Sequence, residues 1–171
     1  MKPLSLKARA IALLSQREHS RAELRRKLWR IAQAAPDAGD GDPDAAAEQA
    51  SAEVDALLDW LQTQGYLSEA RFVESRLHAR TQRYGSLRIR QELAQHGLAL
   101  DERQQAELGV TEFERARLVW RRKFGVGPSA SVEGQAMDPA QRAKQIRFLT
   151  VRGFAPEIVR RVLRAADGSN D

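Results

Sequence analysis

Apolar residues recur along most of the chain at the three- and four-residue spacing of an amphipathic helix. Ala10, Leu13 and Leu14 predict a first helix near residues 6–16. Leu24, Leu28 and Ile31 predict a second, beginning at Ser20, where Ser20-Arg21-Ala22-Glu23 has the form of a capping box. In such a box the Ser oxygen and the Glu carboxylate each satisfy an orphan N–H. Val54, Leu57, Leu58 and Leu61 carry a third helix to a stop at Gly65. Ala70, Val73 and Leu77 predict a fourth after Ser68, and Ile89 with Leu93 a fifth, opened by Tyr84-Gly85 and closed by Gly97. A short sixth falls near 101–108. Thr111-Glu112-Phe113-Glu114 reads as another capping box, leading into Phe113, Ala116, Trp120 and Phe124. Asp138-Pro139 places a capping acid before a Pro at the first helical position. Ala143, Ile146 and Leu149 continue that helix to Gly153, and Pro156 opens a last one with Ile158, Val159, Val162 and Leu163. No stretch alternates long enough to be a strand, so the expected fold is all-α with about nine helices.

Two stretches break the pattern. Residues 32–51 hold Ala, Asp, Gly and Pro but no large apolar group, and are expected to be a disordered acidic insertion. Residues 125–137 are expected to be a loop. The helices also rhyme: His96-Gly97-Leu98 follows Leu93 as Arg152-Gly153-Phe154 follows Leu149. Such self-similarity predicts tandem helical repeats, each with its own small core, in an elongated, curved array. Three fill the chain: 1–67, 68–109 and 110–171.

The 171 residues contain no Cys, which excludes disulfides, thiolate zinc sites and a thiol nucleophile. The apolar runs are too short to cross a bilayer, and the segment Met1–Lys7 lacks a signal-peptide core. A cytoplasmic protein with no membrane association is expected. His19, His78 and His96 lie in three different units and form no metal-ligand pair; they read as surface or cap residues. Gly125-Val126-Gly127-Pro128 is not followed by the Gly-Lys-Ser/Thr of a phosphate loop. Neither an enzyme nor a cofactor or metal site is expected. Trp29, Trp60, Trp120 and Phe148 are spaced as core anchors.

Charge is unevenly distributed. The 28 Lys and Arg against 23 Asp and Glu give +5, and 23 of the bases are Arg. Residues 1–35 carry +7, residues 36–60 carry −8 and residues 138–164 carry +5. Three lines of Arg contain few acids at helical spacing: Arg21, Arg25 and Arg26; Arg76, Arg80 and Arg83 with Arg88 and Arg90; and Arg160, Arg161 and Arg164. Solvation and local ion pairs account for some of these. The guanidinium fork also suits phosphates and carboxylates, which makes these residues candidates for binding a protein partner or nucleic acid.

Several segments resemble the RecX family, regulators of the RecA recombinase. Arg17–Leu28 is similar to its first signature, and Gly65–Phe72 with Arg83–Leu93 to its central one. Lys144–Leu149 with Arg152-Gly153-Phe154 and Ile158 resembles its C-terminal one. The resemblance implies three tandem three-helix repeats. It also implies a monomeric, non-enzymatic protein that binds RecA and RecA–DNA filaments, inhibits RecA ATPase and strand exchange, and so regulates homologous recombination, DNA repair and the SOS response, with at most weak direct DNA binding. The insertion at 32–51 is longer and more acidic than the family's usual link. The alternative is a sequence-independent DNA-binding protein that competes with RecA for single strands, although such proteins use exposed aromatic platforms not evident here. A helix-turn-helix regulator built on Ser20–Arg30 would need Leu24, Leu28 and Ile31 outside, where the fold wants them inside.

Overall fold

The computed structural model describes residues 4–34, 43–125 and 138–166. These form the helices α1 (Leu6–Gln16), α2 (Arg21–Gln33), α3 (Pro43–Thr63), α4 (Glu69–Thr81), α5 (Ser86–Ala94), α6 (Glu102–Val110), α7 (Glu112–Phe124), α8 (Pro139–Val151) and α9 (Pro156–Ala166). No strand occurs among the described residues. The all-α expectation holds, and so do most of the helix starts. The Ser20 oxygen accepts from the Glu23 N–H at 3.1 Å, and the Asp138 carboxylate from the Ala140 N–H at 3.1 Å with Pro139 in the first turn. The rhyme between the two glycine turns is also real, since Gly97 and Gly153 both adopt positive φ, at 74° and 77°.

Three expectations about helix extent, capping and aromatic anchors fail for identifiable reasons. Residues 43–51, expected to lie in the insertion, belong to α3. Pro43 suits a first helical turn, and Ala45, Ala46, Ala47 and Glu48 are strong helix formers that need only be continued from the buried segment after them. Of the expected insertion, residues 35–42 lie outside the described residues, as do 126–137 of the second loop. The Thr111 capping box is not formed. Because α7 starts directly after α6, Thr111 stays helical (φ −87°, ψ −7°) and its hydroxyl donates back to the Glu107 carbonyl at 3.0 Å. The reciprocal box sits one helix earlier, at Asp101 and Gln104, in the helix that periodicity marked most weakly. Finally, Trp29 is no core anchor, being 37 % exposed, whereas Trp60, Trp120 and Phe148 do pack against buried clusters.

The chain divides into two compact units, Met1–Ser75 with His96–Leu98, and Arg76–Gln95 with Ala99–Asp171. In the first, α2 packs on α1 and α3 around Ala10, Leu24, Leu28, Val54, Leu58, Leu61 and Leu67. Five of these are the residues that periodicity placed inward on α2 and α3. In the second unit, α9 packs on α7 and α8 around Ala116, Val119, Leu149, Phe154, Val159, Val162 and Leu163. The amphipathic α9 supplies three of those seven, with Arg160, Arg161 and Arg164 on its exposed side.

Two polar devices hold the second unit in register. The buried Glu112 carboxylate accepts from the Ser86 N–H (3.0 Å) and hydroxyl (2.7 Å), capping α5 from another helix where Gly85 has no side chain to do so. The Arg115 guanidinium donates to the carbonyls of Thr81 (3.3 Å), Tyr84 (2.8 Å) and Leu108 (2.8 Å), gathering the C-terminal ends of α4 and α6.

In the first unit His19, expected to be a surface or cap residue, is buried. Its Nδ1–H donates to the Arg17 carbonyl at 2.9 Å, leaving Nε2 to accept from the Lys27 ammonium at 3.0 Å. Burial, with the Arg17 and Lys27 charges, holds its pKa below the ordinary value, against the opposing effects of the Arg17 carbonyl and Glu23. Glu23, which was to complete the Ser20 box, pairs with the Arg17 guanidinium and with Lys27 at 3.4 Å. Burial alone would raise its pKa, but Arg17, His19 and Lys27 outweigh it and bring it down to about 2. His96 lies against Ser20, with Nδ1 at 2.8 Å from the hydroxyl, and edge-on to Phe72.

Candidate partner-binding surface

The candidate arginines fall into three groups once their neighbours are known. The first is already paired. On α2, Arg25 makes a two-pronged contact with Asp55 of α3 (2.7 and 2.8 Å) and reaches Ser51 at 2.8 Å. That hydrogen bond raises the Arg25 pKa and lowers that of Asp55. Arg21 pairs with Asp59 at 2.8 Å and with the Gln62 side chain. On α4, Arg76 and Arg80 both meet Glu92 of α5, at 3.3 and 3.0 Å. Along each helix these lines are short of acids at i±4 spacing. The acids come from the adjoining helix, and these four residues tie helices together.

The second group is stacked. Arg88 lies over the Tyr84 ring at 4.6 Å and donates to the Val151 carbonyl at 3.2 Å. Arg161 lies over Phe113 at 4.6 Å. Guanidinium over a ring is held loosely, and its outer face remains available.

The third group is exposed and has no side-chain partner among the described residues: Arg26, Arg83, Arg90, Arg160 and Arg164. Arg26 belongs to the first unit and the other four to the second. Arg83 lines an open cavity with Arg122, Lys123 and Arg152, cations absent from the sequence candidates. The run Arg121-Arg122-Lys123 was visible but reads as the cationic last turn that any helix favours. The cavity appears only when that turn is set beside the turns after α4 and α8.

No group of three or more His, Cys, Asp or Glu among the described residues could hold a metal ion, and no helix there is long and apolar enough to cross a membrane. What the chain offers is exposed positive charge, from Arg26 in the first unit and from Arg83, Arg90, Arg160 and Arg164 in the second.

Comparison with known proteins gives this surface a context. The family model for the second three-helix domain of RecX matches residues 68–106, and that for the third matches residues 111–163. The regulatory protein RecX of Leptothrix cholodnii is 48 % identical over 98 % of this chain and 93 % of its own. That of Ralstonia nicotianae is 46 % identical over 99 % of this chain and 92 % of its own. The chain belongs to the RecX family. A more divergent RecX, from Pseudomonas putida, is still 39 % identical across 96 % of this chain. The resemblance carried by the three sequence signatures is therefore a true one. The RecX relatives are named regulatory proteins.

Proposed function

We propose that this chain binds RecA and RecA–DNA filaments and inhibits RecA ATPase and strand exchange, acting in the cytoplasm as a non-enzymatic regulator of recombination and DNA repair. The observation that carries the reading is its near-full-length similarity to proteins named regulatory protein RecX. The physical support is the third group of arginines. Arg90, Arg160 and Arg164 are exposed, unpaired among the described residues and carried on helices with buried faces. Meeting an anionic surface costs them no existing ion pair. We also propose that the nine helices of the described residues act as three repeats, 1–67, 68–109 and 110–171.

The test is suppression of ATP hydrolysis by RecA already assembled on single-stranded DNA. Suppression is expected at protein concentrations too low to cover bare DNA. Arg90→Glu, Arg160→Glu and Arg164→Glu together should weaken it, because like charge then faces the filament. Arg76 and Arg80 are unsuitable for reversal, since two new carboxylates would then crowd around that of Glu92. Inhibition that follows bare-DNA affinity at every salt concentration, and disappears on preformed filaments, would leave simple competition for single strands as the mechanism.

A further inference from the structure

The second unit contains a cavity of about 400 Å3 whose walls come from three places in the chain. Arg83 and Tyr84 follow α4, Arg122 and Lys123 close α7, and Phe148 with Arg152 stand at the end of α8. Four of these six are cations and two are aromatic, and no carboxylate lines the space among the described residues. Arg83, Arg122 and Lys123 have no side-chain partner among the described residues. Arg152 lies 3.7 Å above the Phe148 ring centre, and its guanidinium donates to the Phe148 carbonyl at 3.4 Å. Four like charges around one void repel one another, and an anion placed among them relieves that repulsion.

The size and the aromatic walls narrow the choice of anion. The volume lies in the range of about 300–1,000 Å3 typical of sites for small organic ligands. A bare phosphate would satisfy the cations but leave most of the space and both rings unused. An acidic peptide would likewise use the charge and neglect the rings. A nucleotide uses both, because its phosphate suits Arg and Lys while its base stacks on a tyrosine ring or a guanidinium plane.

We infer that this cavity is a binding site for one nucleotide unit, its phosphate held by Arg83, Arg122 and Lys123 and its base stacked on the Arg152 guanidinium above Phe148 and on the Tyr84 ring in place of Arg88, which lies 4.6 Å over it. The same chemistry is offered by a free nucleoside triphosphate and by one residue of a single strand. The site stands on its own residues and does not require the RecA reading.

Fluorescence anisotropy on the full chain tests it, using labelled oligothymidylate in one arm and labelled ATP in the other. Saturable binding in either arm supports the site, and the arm that binds identifies the source. Tyr84→Leu should weaken binding about fivefold or more through lost stacking, while Tyr84→Phe keeps the ring and the affinity. Should Tyr84→Leu unfold by circular dichroism, the exposed pair Arg122→Ala with Lys123→Ala carries the test. For the strand, that pair should reduce the slope of log affinity against log salt by about 1.4; for ATP it should lower the affinity. Lys7→Ala with Arg30→Ala removes equal charge from the other unit, at residues outside every candidate group, and should leave binding unchanged. The proposal is overturned if neither probe binds or if both double variants weaken binding equally. It also fails if polyglutamate displaces the probe as well as unlabelled nucleotide does at equal charge.

Discussion

Gly85→Ala should be among the most damaging single-methyl additions this chain can suffer. The backbone of Gly85 has φ −80°, where alanine is comfortable, and in open space the change would stabilise by about 0.4–1 kcal/mol through the unfolded state. The site is not open. A β-carbon there would lie 2.2 Å from the Gly153 carbonyl oxygen and 2.3 Å from the Phe154 nitrogen, both backbone atoms that cannot swing aside. Relief needs the α5 start and the α8–α9 turn to part by roughly an ångström, to ordinary contact distance. That parting breaks the Gly85 N–H bond to the Arg152 carbonyl (2.9 Å) and the Leu87 N–H bond to the Gly153 carbonyl (3.0 Å). At about 1 kcal/mol net for each bond, and more if the buried groups stay unpaired, the expected loss is about 3 kcal/mol. Gly97→Ala is the internal standard. Its φ of 74° costs alanine about 1 kcal/mol, but nothing lies within 4 Å of the added carbon. Urea unfolding of both variants, followed by circular dichroism, should rank Gly85→Ala well below Gly97→Ala. A Gly85→Ala protein within about 0.5 kcal/mol of wild type, the usual range for harmless substitutions, would refute the close-approach argument.

Acid should destabilise the first unit in two stages. Burial keeps His19 neutral in the fold, so its contribution is present above its unfolded pKa near 6.5 and declines as pH falls below that. Glu23 contributes fully above 4.5 and loses its share as pH falls toward 2; screening at the part-exposed Arg17 reduces this to about 2 kcal/mol, and Glu23→Gln should remove the second stage from a pH-dependent unfolding series. Glu112→Gln should cost about 1–2 kcal/mol in denaturant melts, because the amide cannot accept from both Ser86 donors as the carboxylate does. Trp29→Ala should shift the urea midpoint little, while Trp60→Ala, which empties a ring packed on the first core and stacked on Tyr66, should cost about 2 kcal/mol or more.

What was legible in the sequence is what one helix determines alone. Leu24 and Leu28, or Val159, Val162 and Leu163, declare their buried face by spacing, and Asp138-Pro139 declares a start, because both depend on residues within a turn or two. What was missed depends on a second segment. Thr111 fails as a cap because α6 runs up against it, and Glu112 instead caps α5, 26 positions earlier. His19 is buried by packing that its own polar neighbours do not announce, and Trp29 is left outside although its type suggests the core. The Ala- and Asp-rich start of α3 could not justify order by its own burial; it is helical as the continuation of a segment anchored at Val54 and Leu58.

The same distinction bears on the binding surface. As lines on separate helices, the arginines looked equivalent, and charge alone ranked them all as candidates. Contacts between helices separate them by what each must give up to meet a partner. Arg25 would have to leave Asp55, and Arg76 and Arg80 would strand Glu92, so a ligand gains from them only the difference between two ion pairs. Arg26, Arg90, Arg160 and Arg164 give up only water, and Arg83, Arg122 and Lys123 are relieved of mutual repulsion besides. Alanine at the paired arginines should therefore register in unfolding, and alanine at the free ones in binding and its salt dependence. Where the positive charge sits in the sequence says little about where it is available; the carboxylates of the neighbouring helix decide that.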